Sequence, residues 1–282
     1  MYEYKSLKDV KLEIIYKVFI EAFSDYQVKL DMSFLKFRNM MVRRGLKPEM
    51  SVGIFDDGKI IGLVLNGVRV WNGRVTAYDL GTGIVPEYRK MGLTGEALKV
   101  VKRLCREKEV ECYLLEVLQE NTGAVELYRK NGFKVSREFD CYTLRKKNIE
   151  RKRDTAIKKF DFFSDEQWEK IEKYCDFNPS WQNSTDSIRA AQENFEYFAA
   201  VIEGEIAGYG IMEKVTGDIS QIAVGRKYRN RGIGRGILNE LLSIAGEIRL
   251  LNIDSRDEGM KKFLLGAGAV KFVSQYEMVL EF

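Results

Sequence analysis

The sequence predicts an α+β protein made of two related domains in tandem. Three observations carry that expectation. One motif set occurs twice in the same order, each copy alternates strand-like and helix-like patterns, and the length and composition suit two domains of ordinary size. The 282 residues are 45% hydrophobic and 31% charged, a balance that fills the cores of globular domains.

The repeat is read from four matches. Arg89-Lys90-Met91-Gly92-Leu93-Thr94 echoes Arg229-Asn230-Arg231-Gly232-Ile233-Gly234, with Tyr88 matching Tyr228. Asp57-Gly58-Lys59-Ile60-Ile61-Gly62 answers Glu203-Gly204-Glu205-Ile206-Ala207-Gly208. Leu114-Leu115-Glu116-Val117 answers Leu250-Leu251-Asn252-Ile253, and the segment Leu127–Phe133 answers Phe263–Ala269. Order and near-constant spacing argue for two related domains rather than chance. The boundary is placed near Asn148, giving domains 1–147 and 148–282, inside the charged run Arg145–Arg153. That run reads as a solvated linker, because no aromatic platform for nucleic acid is interleaved with it.

Within the first copy, Val10, Ile14, Ile15, Val18, Phe19 and Phe23 recur at helical spacing, and a second helix runs through Phe34, Leu35, Phe37, Met40 and Met41. Ser51–Phe55 and Ile60–Leu65 are β-rich and are joined by Asp56-Asp57-Gly58-Lys59, a hairpin turn. A strand over 76–85 stops at Pro86. The next helix carries Leu93, Ala97, Leu98, Val101, Leu104 and Cys105 on one stripe. A strand at 113–117, a short helix at 123–131 and two closing strands complete the copy. Trp71-Asn72-Gly73 reads as a turn. The second copy repeats the plan, its main helix marked by Ile233, Ile237, Leu238, Leu241, Leu242 and Ala245.

The chain has no histidine. That excludes Ser-His-Asp hydrolysis, Cys-His nucleophile pairs and histidine-based metal sites, and no metal is expected. Proton transfer must use Tyr, Asp, Glu, Lys, Cys, water or backbone. Cys105, Cys112, Cys141 and Cys175 lack metal-ligand spacing and read as reduced, buried thiols. No stretch approaches the ~20 apolar residues of a membrane span, and the N-terminus lacks the pattern of a signal peptide. A cytoplasmic protein is expected, with no membrane or nucleic-acid partner, as a monomer or homodimer. The net charge of +4 permits an anionic ligand without arguing for nucleic acid.

A strand, a loop containing Arg and Gly, then a helix is a physical recipe for holding phosphate. The helix N-terminus offers free N–H donors and a positive dipole end, and glycine allows close backbone approach. One such motif is weak evidence; two in matching contexts are stronger. A dinucleotide-binding Rossmann unit is disfavoured, because the loop begins with Arg rather than a glycine turn and hairpins precede it.

With these elements, Pro86–Leu93, Asn121, Ala124, Leu127-Tyr128 and Gly132-Phe133 make the N-terminal half resemble the GNAT acetyltransferase superfamily almost throughout. The C-terminal half resembles it through Ala223-Val224, the Arg229–Gly234 loop and Gly268-Ala269. The resemblance implies, in each half, a mixed, mainly antiparallel twisted sheet flanked by helices. The sheet splays between its fourth and fifth strands to admit the pantetheine arm of acetyl-CoA.

The resemblance further implies roles. The backbone at Ile84 and Val85 pairs with pantetheine; Arg89, Lys90, Met91, Gly92, Leu93, Thr94 and Gly95 cradle pyrophosphate, Thr94 standing where the family usually has Gly or Ala; Asn121 touches the cofactor arm. Tyr128 protonates the departing CoA thiolate, for which a phenol of pKa ~10 starts in the donor state. Core packing is the competing role for Tyr128. In the second half Val224, Arg229, Asn230, Arg231, Gly232, Ile233, Gly234 and Arg235 form the matching cofactor set. There Leu264 replaces Tyr128 and Asp257 replaces Asn121. The second half is therefore expected to bind cofactor or to act as a scaffold, unless another group such as Tyr276 serves as acid. Asp79 and Glu116 are the candidate bases for the acceptor amine, and strand alternation argues against both facing the site. Acceptor recognition is expected from 26–48 and 177–183, with Trp181 either a pocket wall or a packing residue.

The expected function is N-acetyl transfer from acetyl-CoA to a primary amine by direct attack. The alternatives are a CoA-responsive binding or regulatory protein without turnover and, least favoured, a purely structural tandem domain.

Overall fold

A computed structural model describes residues 1–25, 32–145 and 156–282. They form two compact units: unit 1 comprises Met1–Ser136 with Tyr276–Phe282, and unit 2 comprises Arg137–Gln275. The expected boundary at 147/148, residues 146–153 of the charged run, and 26–31 of the expected acceptor segment lie outside the described residues.

Unit 1 opens with β1 (Glu3–Ser6), α1 (Leu12–Ala22) and α2 (Phe34–Arg44). α1 forms because its apolar residues share one stripe, and Ile15, Val18, Phe19 and Ala22 are buried along it. α2 starts where the Ser33 hydroxyl accepts the Lys36 N–H and stops at Gly45, whose φ of +76° ends the helix. β2 (Val52–Asp56), β3 (Lys59–Trp71) and β4 (Arg74–Ile84) follow as an antiparallel meander. Asp57-Gly58 and Asn72-Gly73 all have positive φ, the geometry of tight two-residue hairpin turns. β3 extends past the expected 60–65 because its second half pairs with the first half of β4 up to the Asn72 turn.

After α3 (Leu93–Glu107), β5 (Cys112–Leu118) runs parallel to β4, and paired positions end at Tyr78↔Leu114. Beyond that point the two strands diverge, which is the splay. α4 (Thr122–Lys130) and β6 (Lys134–Arg145) follow.

Unit 2 contains β7 (Ile157–Phe160), α5 (Asp165–Ile171), α6 (Thr185–Arg189), β8 (Phe195–Ile202), β9 (Glu205–Glu213), β10 (Asp218–Val224), α7 (Ile233–Ala245), β11 (Glu247–Asp254), α8 (Glu258–Gly266) and the first half of β12 (Val270–Glu281). β7 to β10 are antiparallel, and β10 and β11 pair in parallel only at Asp218↔Arg249 and Ile219↔Leu250 before diverging. One core packs α7, through Ile233, Ile237, Leu238 and Leu241, on one sheet face. Another packs Phe163, Trp168, Ile171 and Ile188 against Tyr197 and Tyr209. Burying side chains of this size is worth roughly 1.5–3 kcal/mol each.

Each half was expected to close with its own two strands; the described structure differs. Residues 137–145 of β6 belong to unit 2, where 139–145 pair with β11. Unit 1 instead takes Tyr276–Phe282, the end of β12: the Phe282 N–H donates to Glu111 O, Arg74 pairs with Glu281, and Met278 is fully buried. An unpaired strand edge can be satisfied by any strand that reaches it, so hydropathy patterning reveals the strands without revealing their partners.

Candidate functional site

β4 leads through a 3-10 turn at Pro86–Tyr88 into the loop 89–92 and then α3. Lys90 has φ +62° and Gly92, the N-cap of α3, has φ +76°. A Cβ placed on Gly92 or Gly95 would meet no heavy atom within 4 Å, so the space over the first turn is open. Leu93 turns inward and anchors the helix start, while Thr94 is half-buried. Unit 2 repeats this at Asn230 (φ +61°) and Gly232 (φ +80°), with open space over Gly232 and Ile233 buried. Gly234 differs, because a Cβ there would lie 3.2 Å from the Phe263 ring. Free N–H groups at a helix start next to positive-φ residues make an anion-binding concavity. Both loops therefore fit a pyrophosphate.

The arginines that open the loops play a different part from the phosphate contact expected of them. Arg89 Nε donates to Ile84 O at 3.1 Å, Nη2 donates to Ala22 O at 3.0 Å, and Nη1 and Nη2 meet the Asp25 carboxylate at 2.6 and 2.7 Å. In unit 2, Arg229 Nε donates to Val224 O at 2.9 Å, Nη2 to Tyr174 O at 3.1 Å, and Nη1 lies 2.7 Å from Asp176. Each guanidinium thus ties the strand end to the segment after the unit's first helix. Anion capacity rests on the backbone of 90–95 and 230–235, with the exposed cations Lys90 and Arg231 beside it. Arg235 donates to Gly266 O at 2.7 Å, while Met91 is exposed. Tyr88 bonding Asp56 and Tyr228 bonding Glu205 tether each loop a second time.

Other expected cofactor contacts also have partners within the chain. The Val85 N–H donates to Ile61 O, and Ile84 O and Val224 O are occupied by the arginines. Asn121 caps α4 by accepting the Ala124 N–H, as Asp257 caps α8 by accepting the Met260 N–H. Tyr276 falls in unit 1.

At the splay of unit 1, Tyr128 and Asp79 come together. The Tyr128 hydroxyl donates to Asp79 Oδ2 at 3.2 Å, the Thr82 hydroxyl donates to the same oxygen at 2.6 Å, and the Gly81 N–H donates to Oδ1 at 2.8 Å. A β-bulge makes this possible. Leu65 pairs with Gly81 and Asn66 with Asp79, so Leu80 is an extra residue and Asp79 and Thr82 share a face. Tyr128 is buried, edge-on to Phe133. Burial pushes the Asp79 carboxyl up to about 6, against the lowering effect of its three hydrogen bonds. Glu116 lies elsewhere: it hydrogen-bonds Tyr78, whose phenol burial drives well above its ordinary pKa. Tyr78 adjoins Asp79 in the strand and faces oppositely. Asp79 and Glu116 therefore have different partners, Tyr128 and Tyr78.

In unit 2 the polar set is absent. β10 carries the same bulge, with Ile219 at the place of Asp79 and Ile222 at that of Thr82, counted from the strand end that the arginine holds. Leu264 takes the place of Tyr128 and is fully buried. Beside them opens a cavity of about 400 Å³, running from the loop residues Arg229–Arg235 along the diverging β10 and β11 to Phe177, Pro179 and Asn183. The acceptor segment 177–183 therefore contributes to its wall, whereas Trp181 is fully buried and packs. Gln221 is held by the Tyr209 hydroxyl and by Asn183 O. Tyr174, Cys175 and Asp176 also line the cavity, and sequence reasoning missed them. Their place after the first helix of the copy, like Asp25 after α1, was the available signal. Among the described residues no group of three or more His, Cys, Asp or Glu side chains could hold a metal ion, and no helix is long and apolar enough to cross a membrane.

The acetyltransferase (GNAT) family model matches residues 12–133 and 161–264. Among solved structures, a tandem GNAT protein from the clavulanic acid biosynthesis pathway is similar over 100% of this chain and 98% of its own, with TM-score 0.77 and 13% identity. A putative acetyltransferase from Pyrococcus horikoshii gives TM-score 0.71 and 16% identity over 100% of this chain and 89% of its own. A GCN5-related N-acetyltransferase from Sphaerobacter thermophilus gives 0.70 and 15% over 99% and 95%. No curated protein sequence matches the chain.

Proposed function

Because the chain belongs to the acetyltransferase (GNAT) family, we propose that it transfers an acetyl group from acetyl-CoA to the primary amine of an acceptor, and that unit 1 performs the chemistry. The observation that carries this reading is the Tyr128 hydroxyl at the splay, in the same unit as an open anion-binding loop. The backbone of 90–95 holds the pyrophosphate and the diverging ends of β4 and β5 admit the arm. The amine nitrogen attacks the thioester carbonyl carbon, the C–S bond breaks with its electron pair on sulfur, and Tyr128 gives the sulfur its proton. The proton lost by nitrogen passes through water to solvent, since Asp79 already accepts three hydrogen bonds and Glu116 is bonded to Tyr78 away from Tyr128. Solvent exchange then restores Tyr128, so protons balance.

Unit 2 binds a CoA thioester in its 400 Å³ cavity without turning it over, because Leu264 has no proton to give. That cavity also supports a second reading, a CoA-responsive binding protein in which neither unit turns over. A panel of small amines, amino acids, aminoglycosides and peptide N-termini, assayed for thiol release from acetyl-CoA, separates the two. Release with at least one amine, abolished by Tyr128→Phe, supports the enzyme. Calorimetric CoA binding without release from any amine supports the second reading.

A further inference from the structure

The two units offer an internal comparison. Both build the same bulged strand, the same arginine-held strand end and the same capped helix behind it. At the three positions that meet behind the splay, unit 1 has Asp79, Thr82 and Tyr128, and unit 2 has Ile219, Ile222 and Leu264. The apolar trio is buried, at 3%, 6% and 0% exposure. The fold is therefore complete with hydrocarbon at all three places. The polar trio burdens unit 1 with a carboxylate 7% exposed, an unfavourable burial that nothing in the fold requires. Where the acid is missing, its carboxylate partner and the hydroxyl that steadies that carboxylate are missing too. Replacement of all three together indicates that they act as a set.

We propose that Asp79, steadied by Thr82 and the Gly81 N–H, is the positioning residue for Tyr128 in acetyl transfer; this rests on the reading that Tyr128 is the proton donor. The carboxylate accepts the phenol's hydrogen bond and fixes the ring at the splay. Asp79 itself gains and loses no proton in the step: the proton passes from Tyr128 Oη to sulfur as the C–S bond breaks.

A double-mutant cycle on the full chain tests this, using the amine that gives the fastest thiol release in the panel. Tyr128→Phe should lower kcat about 100-fold and Asp79→Asn about tenfold or more, since small misplacements of a reacting group cost that much. In the Tyr128→Phe background, Asp79→Asn should have no further effect on kcat, because Asp79 acts only through the phenol. Thr82→Val should lower kcat and the conservative Thr82→Ser should recover most of that loss, with acetyl-CoA affinity within about threefold throughout. Equal additional loss from Asp79→Asn in both backgrounds overturns the inference while leaving Tyr128 as the acid. Full activity of Tyr128→Phe overturns both. A second arm needs no acceptor. The transplant Asp79→Ile, Thr82→Ile and Tyr128→Leu should melt at or above the parental temperature and still bind acetyl-CoA in unit 1. A melting temperature well below the parent's, together with independent effects in the cycle, would show that the polar trio is structural.

Discussion

Arg89 and Asp25 form a two-toothed ion pair, Nη1 and Nη2 at 2.6 and 2.7 Å from the two carboxylate oxygens, that fastens the loop before α3 to the end of the first helical segment of unit 1. The pair holds the Asp25 carboxyl below its usual range, chiefly through the Arg89 hydrogen bonds. Arg229 and Asp176 repeat the relationship in unit 2. Because Asp25 is exposed, the ion pair itself adds little stability. The arginine's bonds to Ile84 O and Ala22 O matter more. Arg89→Ala should cost about 1–3 kcal/mol, read by chemical denaturation, whereas Asp25→Asn should leave stability nearly unchanged. Lys90→Ala should weaken acetyl-CoA binding without lowering stability, which calorimetry beside a thermal melt would show.

Gly92 and Gly95 should respond oppositely to the same substitution. Gly92 sits at φ +76°, where a Cβ is strained by about 1–2 kcal/mol. Gly95 lies inside α3 with open space around it, so alanine there should raise stability by roughly 0.5–1 kcal/mol. Both should weaken acetyl-CoA binding, since both place a methyl over the first turn. Undiminished affinity in Gly95→Ala would show that the pyrophosphate lies elsewhere.

Asp79 should leave a mark on stability against pH. Its folded carboxyl titrates at about 6, above the ordinary 3.8, because of burial. Below about pH 3.8 the folded and unfolded chains both hold the proton. As pH rises towards 6 the unfolded chain loses it first and stability falls; above about 6 the fall is complete. The gap corresponds to about 3 kcal/mol. In Asp79→Asn this part of the slope between pH 4 and 6 should vanish, as urea denaturation at several pH values would reveal.

Removing residues 276–282 should weaken unit 1, although they come from the far end of the chain. The segment brings the fully buried Met278 and the Phe282 N–H bond to Glu111 O, and loss of one such core side chain alone costs roughly 2–5 kcal/mol. Hydrogen exchange in β5 should accelerate in the truncated chain. Unchanged protection there would contradict the placement of this segment in unit 1.

Much of the fold was legible because its signals are local. The stripes of α1 and α3, the Asp57-Gly58 and Asn72-Gly73 turns, and the two Arg-Gly loops each depend on residues within one or two turns of chain. The loops were also legible as Arg-Gly turns leading into helix starts, since positive φ and a helix start are consequences of local sequence. The partners of the arginine side chains were hidden for the complementary reason. Arg beside Gly suggests a phosphate ligand, but the partners that occupy Arg89, Asp25 and Ala22, arrive from a helix far away in sequence.

The amino-acid order thus determined that there are two copies of one α+β plan, where the main helices and hairpin turns of each fall, and that only the first copy has a phenol at the position of Tyr128. Those conclusions follow from periodicity, turn chemistry and residue identity, which need no knowledge of distant neighbours. Folding decided which strand closes which unit, that Asp79 rather than Glu116 meets Tyr128, and that a cavity of about 400 Å³ opens along β10 and β11. Each of these depends on pairing between segments far apart in the chain. A one-residue bulge at Leu80, or a strand edge open to any partner, changes which side chains meet without changing the local pattern that the sequence displays.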